Sequence, residues 1–297
     1  MAQGSIQSGI ALMLASIGLI SVVDTVCKVY TAELPAMQIV WGYFMGILLS
    51  LSGYFAWRRI PLRRLLSTRR PILQWARPGL LVSSIVCLYI GLTYLPLAEA
   101  TAIGFMAPLF VTALSAPLLK ERVGWHRWLA VLTGLAGVLI IVQPGGALWH
   151  WAAAMPLAGA LAFAGYQLAT RMLAASDSTE TTLGYTALGG ALWISLAVPF
   201  VWQPLRPEHW FAFFATGAMG AAAHLCLIRA FGLAQASLLA PFNYSKLVWV
   251  AILGFLVFGD VPAPATLIGG ALIIACGLYV LMRERARPPL PSARVSP

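Results

Sequence analysis

Long apolar stretches separated by short polar connections run along almost the whole chain. A bilayer core about 30 Å thick is crossed by about 20 apolar residues in an α-helix, and ten stretches have roughly that length. The predicted segments are residues 8–30, 35–57, 72–95, 98–119, 125–142, 149–172, 181–202, 209–231, 236–258 and 265–282. Because many connections are short, consecutive segments must be antiparallel. The pattern predicts an all-α polytopic membrane protein with ten transmembrane helices.

The amino-acid composition indicates whether water or lipid surrounds these segments. The chain is 60% hydrophobic and 9% charged, whereas soluble domains have about 45–50% apolar and about 25% charged residues. A soluble protein of 297 residues has no interior large enough for so much apolar surface. We therefore expect the lipid bilayer to be its main partner.

The basic residues, which give a net charge of +10, fall into short connections on one side of the predicted bundle. With the N-terminus inside, 16 of the 19 Lys and Arg residues are cytoplasmic, and the count places seven arginines from Arg58 to Arg77 in a single loop. Cytoplasmic loops of membrane proteins are enriched in Lys and Arg in this way. The pattern predicts a multi-pass protein of a bacterial-type inner membrane, with both termini cytoplasmic. The basic residues do not form the continuous basic face that is expected of a nucleic-acid-binding protein.

The two halves of the chain resemble each other. Residues 97–101 (LAEAT) open the fourth segment and residues 233–237 (LAQAS) open the ninth. We expect a first five-helix repeat at 1–145, a second at 146–283, and a disordered cytoplasmic tail at 284–297. An odd number of helices inverts the second repeat relative to the first, as in many secondary transporters. Chance likeness between apolar helices is the alternative.

These motifs make the chain similar to the drug/metabolite transporter superfamily, in particular to its EamA-type ten-helix members. The resemblance covers about residues 8–283 and is carried by AEATA at 98–102, LKER at 119–122, APFNY at 240–244 and FGDVP at 258–262. It implies that helices one to four and six to nine surround a central cavity. It also implies export of amino acids or other metabolites, or uptake of nucleotide-like or vitamin-like solutes. Tyr43 stands where relatives often have an arginine, which argues against a phosphorylated substrate.

Few polar side chains lie deep in the predicted segments, where ionisable groups are costly and therefore mark function. Lys246 lies about 15 Å into the ninth segment at 1.5 Å per residue. Asn243 shares its face, Tyr244 lies beside it, and Pro241 weakens the helix one turn earlier. We expect these residues to bind a substrate carboxylate or another acceptor. The alternative is a structural lysine that is paired with a carbonyl or with Asp24.

Three other ionisable residues are candidates. His224 lies halfway along the eighth segment, and it binds substrate, exchanges a proton, or simply packs with a hydrogen bond. Asp24 and Lys28 are four residues apart, so they form either a surface salt bridge with each other or part of a gate. Glu99 either couples or gates transport, or stabilises the positive end of its helix.

Aromatic and amide residues complete the candidate binding site. The alternative for each of these residues is packing in the core or against lipid. They are Trp41, Gln38, Gln167, Tyr166, Tyr89 and Trp249. Small residues on helices five and ten, among them Gly134, Gly137 and Gly270, permit close helix contacts. The family resemblance implies a homodimer through these two helices, and internal packing accounts for the small residues equally well.

Together these features predict a secondary transporter, and not an enzyme, with no cofactor and no bound metal. Motifs for hydrolysis or nucleotide binding are absent from the sequence, so a membrane-embedded enzyme is a remote alternative. A site with one lysine, amides and aromatic rings suits a zwitterion. We expect export of small polar solutes, with amino acids, aromatic ones included, as the first choice. Uptake or export of nucleobase-like, vitamin-like or drug-like metabolites is the alternative.

Overall fold

The computed structural model describes residues 3–119, 125–143, 150–174, 176–233 and 240–285, and these residues form helices and turns without a β-strand. The helices of the first half are α1 (Gln3–Tyr30), α2 (Ala36–Trp57), α3 (Leu62–Leu66), α4 (Pro71–Tyr94), α5 (Leu97–Gly104), α6 (Ala107–Leu119) and α7 (Trp125–Val142). Those of the second half are α8 (Ala154–Ala174), α9 (Thr179–Ala197), α10 (Pro207–Leu233), α11 (Ser245–Phe258) and α12 (Pro264–Arg285). Short 3₁₀ turns at Trp151–Ala153, Val198–Val201 and Ala240–Tyr244 extend α8, α9 and α11.

Six of these helices are long and apolar enough to cross a membrane, and four further apolar helices are shorter. Large apolar side chains cover their outer surfaces; Leu196 is 61% exposed and Leu256 is 70% exposed. A soluble monomer rarely exposes so much contiguous apolar surface. The protein is therefore an all-helical, multi-pass membrane protein.

The predicted segments agree with the helices except where a helix is interrupted. The segment 125–142 coincides with α7. The segment 98–119 is divided into α5 and α6 at Phe105 and Met106, because Pro108 has no amide hydrogen to donate to the carbonyl of Gly104. The short helix α3 was not predicted, and the predicted tail lies outside the described residues from residue 286 onward.

The bundle has two ends, for which we use fixed names. The basic end is where α2 ends, α3 lies and α4 begins, and it carries the exposed Arg58, Arg59, Arg63, Arg69 and Arg70. The opposite end is where α1 ends at Tyr30 and α2 begins at Ala36.

Glycines set the closest approaches between helices. The helix α10 packs on α1 and α2, α4 packs on α8 and α9, and α7 packs on α12. A Cβ atom at Gly217 would lie 2.3 Å from the Cα atom of Gly46, so α2 and α10 touch through their backbones. A Cβ atom at Gly269 would lie 2.4 Å from the carbonyl oxygen of Gly137. Small residues of α7 and α12 therefore pack against each other within one chain.

At the basic end, Asp177 ties the connection between α8 and α9 to the start of α4. Its carboxylate accepts hydrogen bonds from Gln74 Nε2 at 2.7 Å, from the Thr68 hydroxyl at 2.5 Å and from the Arg69 amide at 3.3 Å. Burial alone acts to raise the pKa of Asp177, but these hydrogen bonds outweigh it and lower the pKa below its ordinary value.

The backbone contact between α2 and α10 predicts that a single methyl group will destabilise the fold. A Cβ atom at Gly46 would lie 2.4 Å from the carbonyl oxygen of Phe213, which cannot move aside as a side chain can. We expect Gly46→Ala to lower the free energy of unfolding by about 1–3 kcal/mol, as overpacking typically does. Thermal unfolding of the detergent-purified protein measures this change.

Gly53 is the matched control in the same helix, because nothing lies within 4 Å of a Cβ atom there. Gly53→Ala should leave stability unchanged or raise it slightly, since alanine favours helix more than glycine does. Equal effects of the two substitutions would contradict the close contact.

Candidate functional site

A break between two helices lies against a 3₁₀ turn at the start of a third helix. The break separates α5 from α6 at Phe105, and the 3₁₀ turn is Ala240–Tyr244, which leads into α11. The rings of Phe105 and Tyr244 touch edge to face, with centroids 5.4 Å apart. Irregular backbone at membrane depth is tolerated only where protein or a water-filled cavity surrounds it. This junction is therefore the first candidate for a binding site.

An ion pair lies beside the junction. The ammonium Nζ of Lys246 on α11 is 2.7 Å from the carboxylate Oδ2 of Asp24 on α1. The Tyr89 hydroxyl on α4 donates a hydrogen bond to Asp24 Oδ1 at 3.3 Å. Three helices thus converge on one carboxylate.

The ion pair is mostly shielded from solvent. The side chain of Asp24 is 8% exposed and that of Lys246 is 24% exposed. Lys246 is the second residue of α11, where the positive end of the helix dipole disfavours a cation. Asp24 therefore offsets both the lysine charge and the dipole, and the alternative in which Lys246 pairs with Asp24 describes this structure.

Asp24 and Lys28 do not pair with each other, although they lie on one helical face. Lys28 instead reaches Asp260, which follows α11, with Nζ 3.0 Å from Oδ2. Its ammonium also lies 4.6 Å from the ring centroid of Phe258. The predicted pair is wrong because packing of α11 against α1 supplies each charge with a partner from another helix.

Glu99 lies in the first turn of α5, as predicted, and it is 3% exposed. Its Oε1 accepts a hydrogen bond from the Thr266 hydroxyl at 3.0 Å and lies 3.5 Å from the Ala263 amide. Its Oε2 is buried without a hydrogen-bond partner. Glu99 therefore connects α5 to the start of α12 at the opposite end and keeps one unused acceptor oxygen.

Gln38 and Trp41 have their polar atoms engaged within the protein. Gln38 is fully buried and exchanges two hydrogen bonds, of 2.8 and 2.9 Å, with the backbone of Gln203. The indole Nε1 of Trp41 donates to the Ser195 hydroxyl at 3.0 Å. These contacts fasten α2 to the end of α9 and its connection, so both residues have a structural role in this conformation.

The remaining candidates differ in position and exposure. Tyr244 lies in the junction, and Asn243 is exposed in the same 3₁₀ turn. Trp249 is 41% exposed, and its ring lies over Gly18. His224 on α10 and Tyr166 on α8 are half-buried, and Gln167 is exposed. The structure places Lys246 and Tyr89 each in direct contact with Asp24, and among the described residues it gives His224 no hydrogen bond with these three.

Arg77 does not lie in the loop in which the charge pattern places it. It lies inside α4 and is 1% exposed, the largest fully buried side chain among the described residues. The signal for this was its position within the predicted segment 72–95, where it interrupts an apolar stretch. An arginine in such a position marks a functional candidate.

The comparisons with known proteins agree on one family. The model of the EamA-like transporter family matches residues 7–143 and 150–283. The riboflavin transporter of Vibrio cholerae is 32% identical over 190 residues, which cover 64% of this chain and 64% of that protein.

Two further relatives match over nearly their whole length. The S-adenosylmethionine uptake transporter of Rickettsia prowazekii is 25% identical, covering 94% of both chains. The pseudopaline exporter CntI of Pseudomonas aeruginosa is 28% identical, covering 91% of this chain and 95% of that one. A solved crystal structure superposes with a TM-score of 0.63 at 21% identity over 95% of this chain and 99% of that chain, which shows a shared fold.

The ion pair predicts a strong coupling between Asp24 and Lys246. Asp24→Asn or Lys246→Met leaves one charge without its partner, and breaking a fully buried pair costs about 3–5 kcal/mol. We expect a loss somewhat below that range, since Lys246 is partly exposed. The double substitution should cost less than the sum of the two single ones, as measured by thermal unfolding in detergent.

Glu208→Gln serves as the control, because Glu208 and its partner Arg206 are 55% and 66% exposed at the opposite end. Exposed pairs contribute little, so this variant should match the wild type. Additive losses for Asp24 and Lys246 would show that the two charges do not interact.

Proposed function

Because the chain belongs to the EamA-like transporter family, we propose that it is a secondary transporter of small polar organic solutes that works by alternating access. Amino acids, aromatic ones included, are the substrates that we put first, and export is the direction that the family resemblance favours. The observation that carries the proposal is the Asp24–Lys246 pair beside the junction of the α5–α6 break and the 3₁₀ turn that precedes α11.

The proposed architecture is ten transmembrane helices in two inverted repeats, at 1–145 and 146–283, with a cytoplasmic tail at 284–297. If α1 corresponds to α8 and α4 corresponds to α10, the contact between α1 and α10 is equivalent to the contact between α8 and α4. The packing of α2 on α10 has its counterpart in that of α9 on α4. The break at Phe105 and the 3₁₀ turn that ends at Tyr244 also fall in corresponding predicted segments, and irregular backbone at corresponding places of two repeats is typical of transporter binding sites.

The charges of the site are complementary to a zwitterion. An α-amino acid carries an ammonium group that can replace Lys246 at Asp24, and a carboxylate that can replace Asp24 at Lys246. Binding then exchanges one ion pair for two and leaves no buried charge without a partner. A solute with a single charge would leave Asp24 or Lys246 unpaired.

The aromatic residues of the junction suit a ring or an aliphatic side chain. Phe105 and Tyr244 present edge and face to each other, with centroids 5.4 Å apart. Aromatic rings favour offset or edge-to-face partners. Aromatic amino acids therefore fit the proposal.

Nucleobase-like or vitamin-like solutes are the second candidate. They are favoured by the relatives named for riboflavin and S-adenosylmethionine, both of which contain flat ring systems. S-adenosylmethionine also carries an amino-acid group, so the same ion pair would serve it.

The orientation that we propose places the basic end in the cytoplasm and the protein in the inner membrane, in keeping with the distribution of arginines. A homodimer through the outer faces of α7 and α12 is a further part of the proposal. Leu132 and Ile268 on these faces are 61% and 62% exposed.

Flux into proteoliposomes tests the function. The panel contains radiolabelled L-phenylalanine, L-leucine, riboflavin and S-adenosylmethionine, with and without a proton gradient. We expect saturable movement of unmodified amino acid, inhibited far less by phenethylamine or 3-phenylpropanoate, which each lack one of the two charges. Asp24→Asn and Lys246→Ala should each lower flux at least about tenfold, since a charged hydrogen bond contributes about 1.5–3 kcal/mol.

Glu208→Gln is again the control and should transport at the wild-type rate. Unchanged flux in Lys246→Ala would remove Lys246 from the site, and equal inhibition by the singly charged analogues would contradict the zwitterion proposal. Chemically altered solute inside the vesicles would favour an enzyme. Preloaded vesicles of known orientation report the direction.

A further inference from the structure

Arg77 is a buried cation whose direct partners are all uncharged. Its Nη1 donates to the Thr170 hydroxyl at 3.2 Å. Its Nη2 donates to the Thr182 carbonyl at 2.7 Å and to the Thr186 hydroxyl at 2.6 Å. The Tyr166 ring centroid lies 5.0 Å from its Cζ atom. These groups solvate the guanidinium but leave its charge in place.

Among the described residues, no carboxylate forms an ion pair with Arg77, and Glu99, which has one unused oxygen, lies at the opposite end. Asp177, at the same end of the bundle, accepts hydrogen bonds from Thr68, Gln74 and the Arg69 amide. Asp24 and Asp260 pair with the two lysines. A buried charge without a counter-charge is costly, even when it is hydrogen-bonded. The fold therefore retains a positive charge inside α4 that no described carboxylate neutralises.

The guanidinium also has unused donor capacity. Its Nε is buried and has no hydrogen-bond partner. A carboxylate binds arginine through two parallel hydrogen bonds, and the edge formed by Nε and Nη2 has the geometry for such a pair. A carboxylate there would use the vacant Nε donor and replace one of the two neutral acceptors that Nη2 now shares.

Arg77 lies at a different depth from the Asp24–Lys246 pair. Measured along the helix axis, Arg77 lies about 9 Å from the start of α4, which is at the basic end. Asp24 lies about 9 Å from the end of α1, which is at the opposite end. The partners of Arg77 belong to α8 and α9, so Arg77 links α4 to two helices of the other half of the chain.

We propose that Arg77 is a second, inner binding site for the carboxylate group of an organic acid or amino acid, a role in transport that rests on the proposed function. When α4 and α9 separate at the basic end, Arg77 loses the neutral acceptors of Thr182 and Thr186. A solute carboxylate then replaces them and neutralises the charge. The site selects for acids and amino acids over amines and amides.

Binding of a carboxylate without an ammonium group tests the inference apart from transport. The probe is 3-phenylpropanoate, with 3-phenylpropanamide as its uncharged match, added to the full chain purified in detergent. The carboxylate should raise the unfolding temperature by binding the folded state, and the amide should not. Arg77→Gln should weaken the response to the carboxylate at least about tenfold in concentration, since a charged hydrogen bond contributes about 1.5–3 kcal/mol.

Three further variants separate the binding site from a merely structural clamp. Lys246→Met should keep the carboxylate response if Arg77 is its source. Arg206→Gln, which removes an exposed arginine at the opposite end, should respond as the wild type does. Thr186→Val removes a neutral partner but keeps the charge, so it should retain carboxylate binding, and a folded Thr186→Val variant that no longer binds the carboxylate would contradict the inference even if Arg77→Gln does not fold.

Equal responses to the carboxylate and the amide in the wild type would overturn the inference, and so would an Arg77→Gln variant that binds the carboxylate like the wild type. Because this assay involves neither flux nor an ammonium group, carboxylate binding without amino-acid flux would overturn the proposed function alone. Amino-acid flux without carboxylate binding at Arg77 would overturn the second site alone.

Discussion

Charged side chains inside an apolar helix bundle need oxygen or nitrogen partners from the protein, because lipid supplies none. Asp24 illustrates the consequence. Its carboxylate lies among three helices and is held by Lys246 from α11 and Tyr89 from α4. Each contact joins segments that are far apart in sequence. The need to partner a few buried charges therefore determines which helices can be neighbours and at what depth.

Close helix packing makes such partnerships possible. Gly46 and Gly217 allow α2 and α10 to touch through their backbones, and Gly137 and Gly269 do the same for α7 and α12. In lipid, helices are held together by close packing and interhelical hydrogen bonds more than by the hydrophobic effect. The glycine contacts therefore make the polar contacts possible, because they let the helices approach closely enough for polar side chains of one helix to reach the next.

Hydropathy predicted the helices well because it is a local property; α7 begins and ends where the apolar pattern does. The segment 98–119 was predicted as one helix with a possible bend at Pro108; hydropathy alone does not show that this proline divides it at Phe105. The partners of Asp24 and Lys28 depend on which helices pack together, and spacing along one helix does not contain that information. Arg77 was assigned to the loop together with the neighbouring arginines, because the distribution of charges along the sequence indicates the end of the bundle at which a residue lies. It does not indicate whether the residue is buried. Its position inside an apolar stretch was the available signal.

In the proposed mechanism, the two charged positions make different demands on a solute. The Asp24–Lys246 pair has no net charge when empty, and a zwitterion that inserts into it also adds none. The electrostatic cost of exposing the site first to one side of the membrane and then to the other is therefore similar with and without solute. A carrier that must return to its starting conformation without solute needs this property. Arg77 is positively charged in the empty protein, and a solute carboxylate would pair with it. An amine without a carboxylate pairs with neither cation, whereas the carboxylate of an amino acid can pair with Lys246 and with Arg77 in turn. The arrangement therefore favours solutes that carry a carboxylate together with an ammonium group.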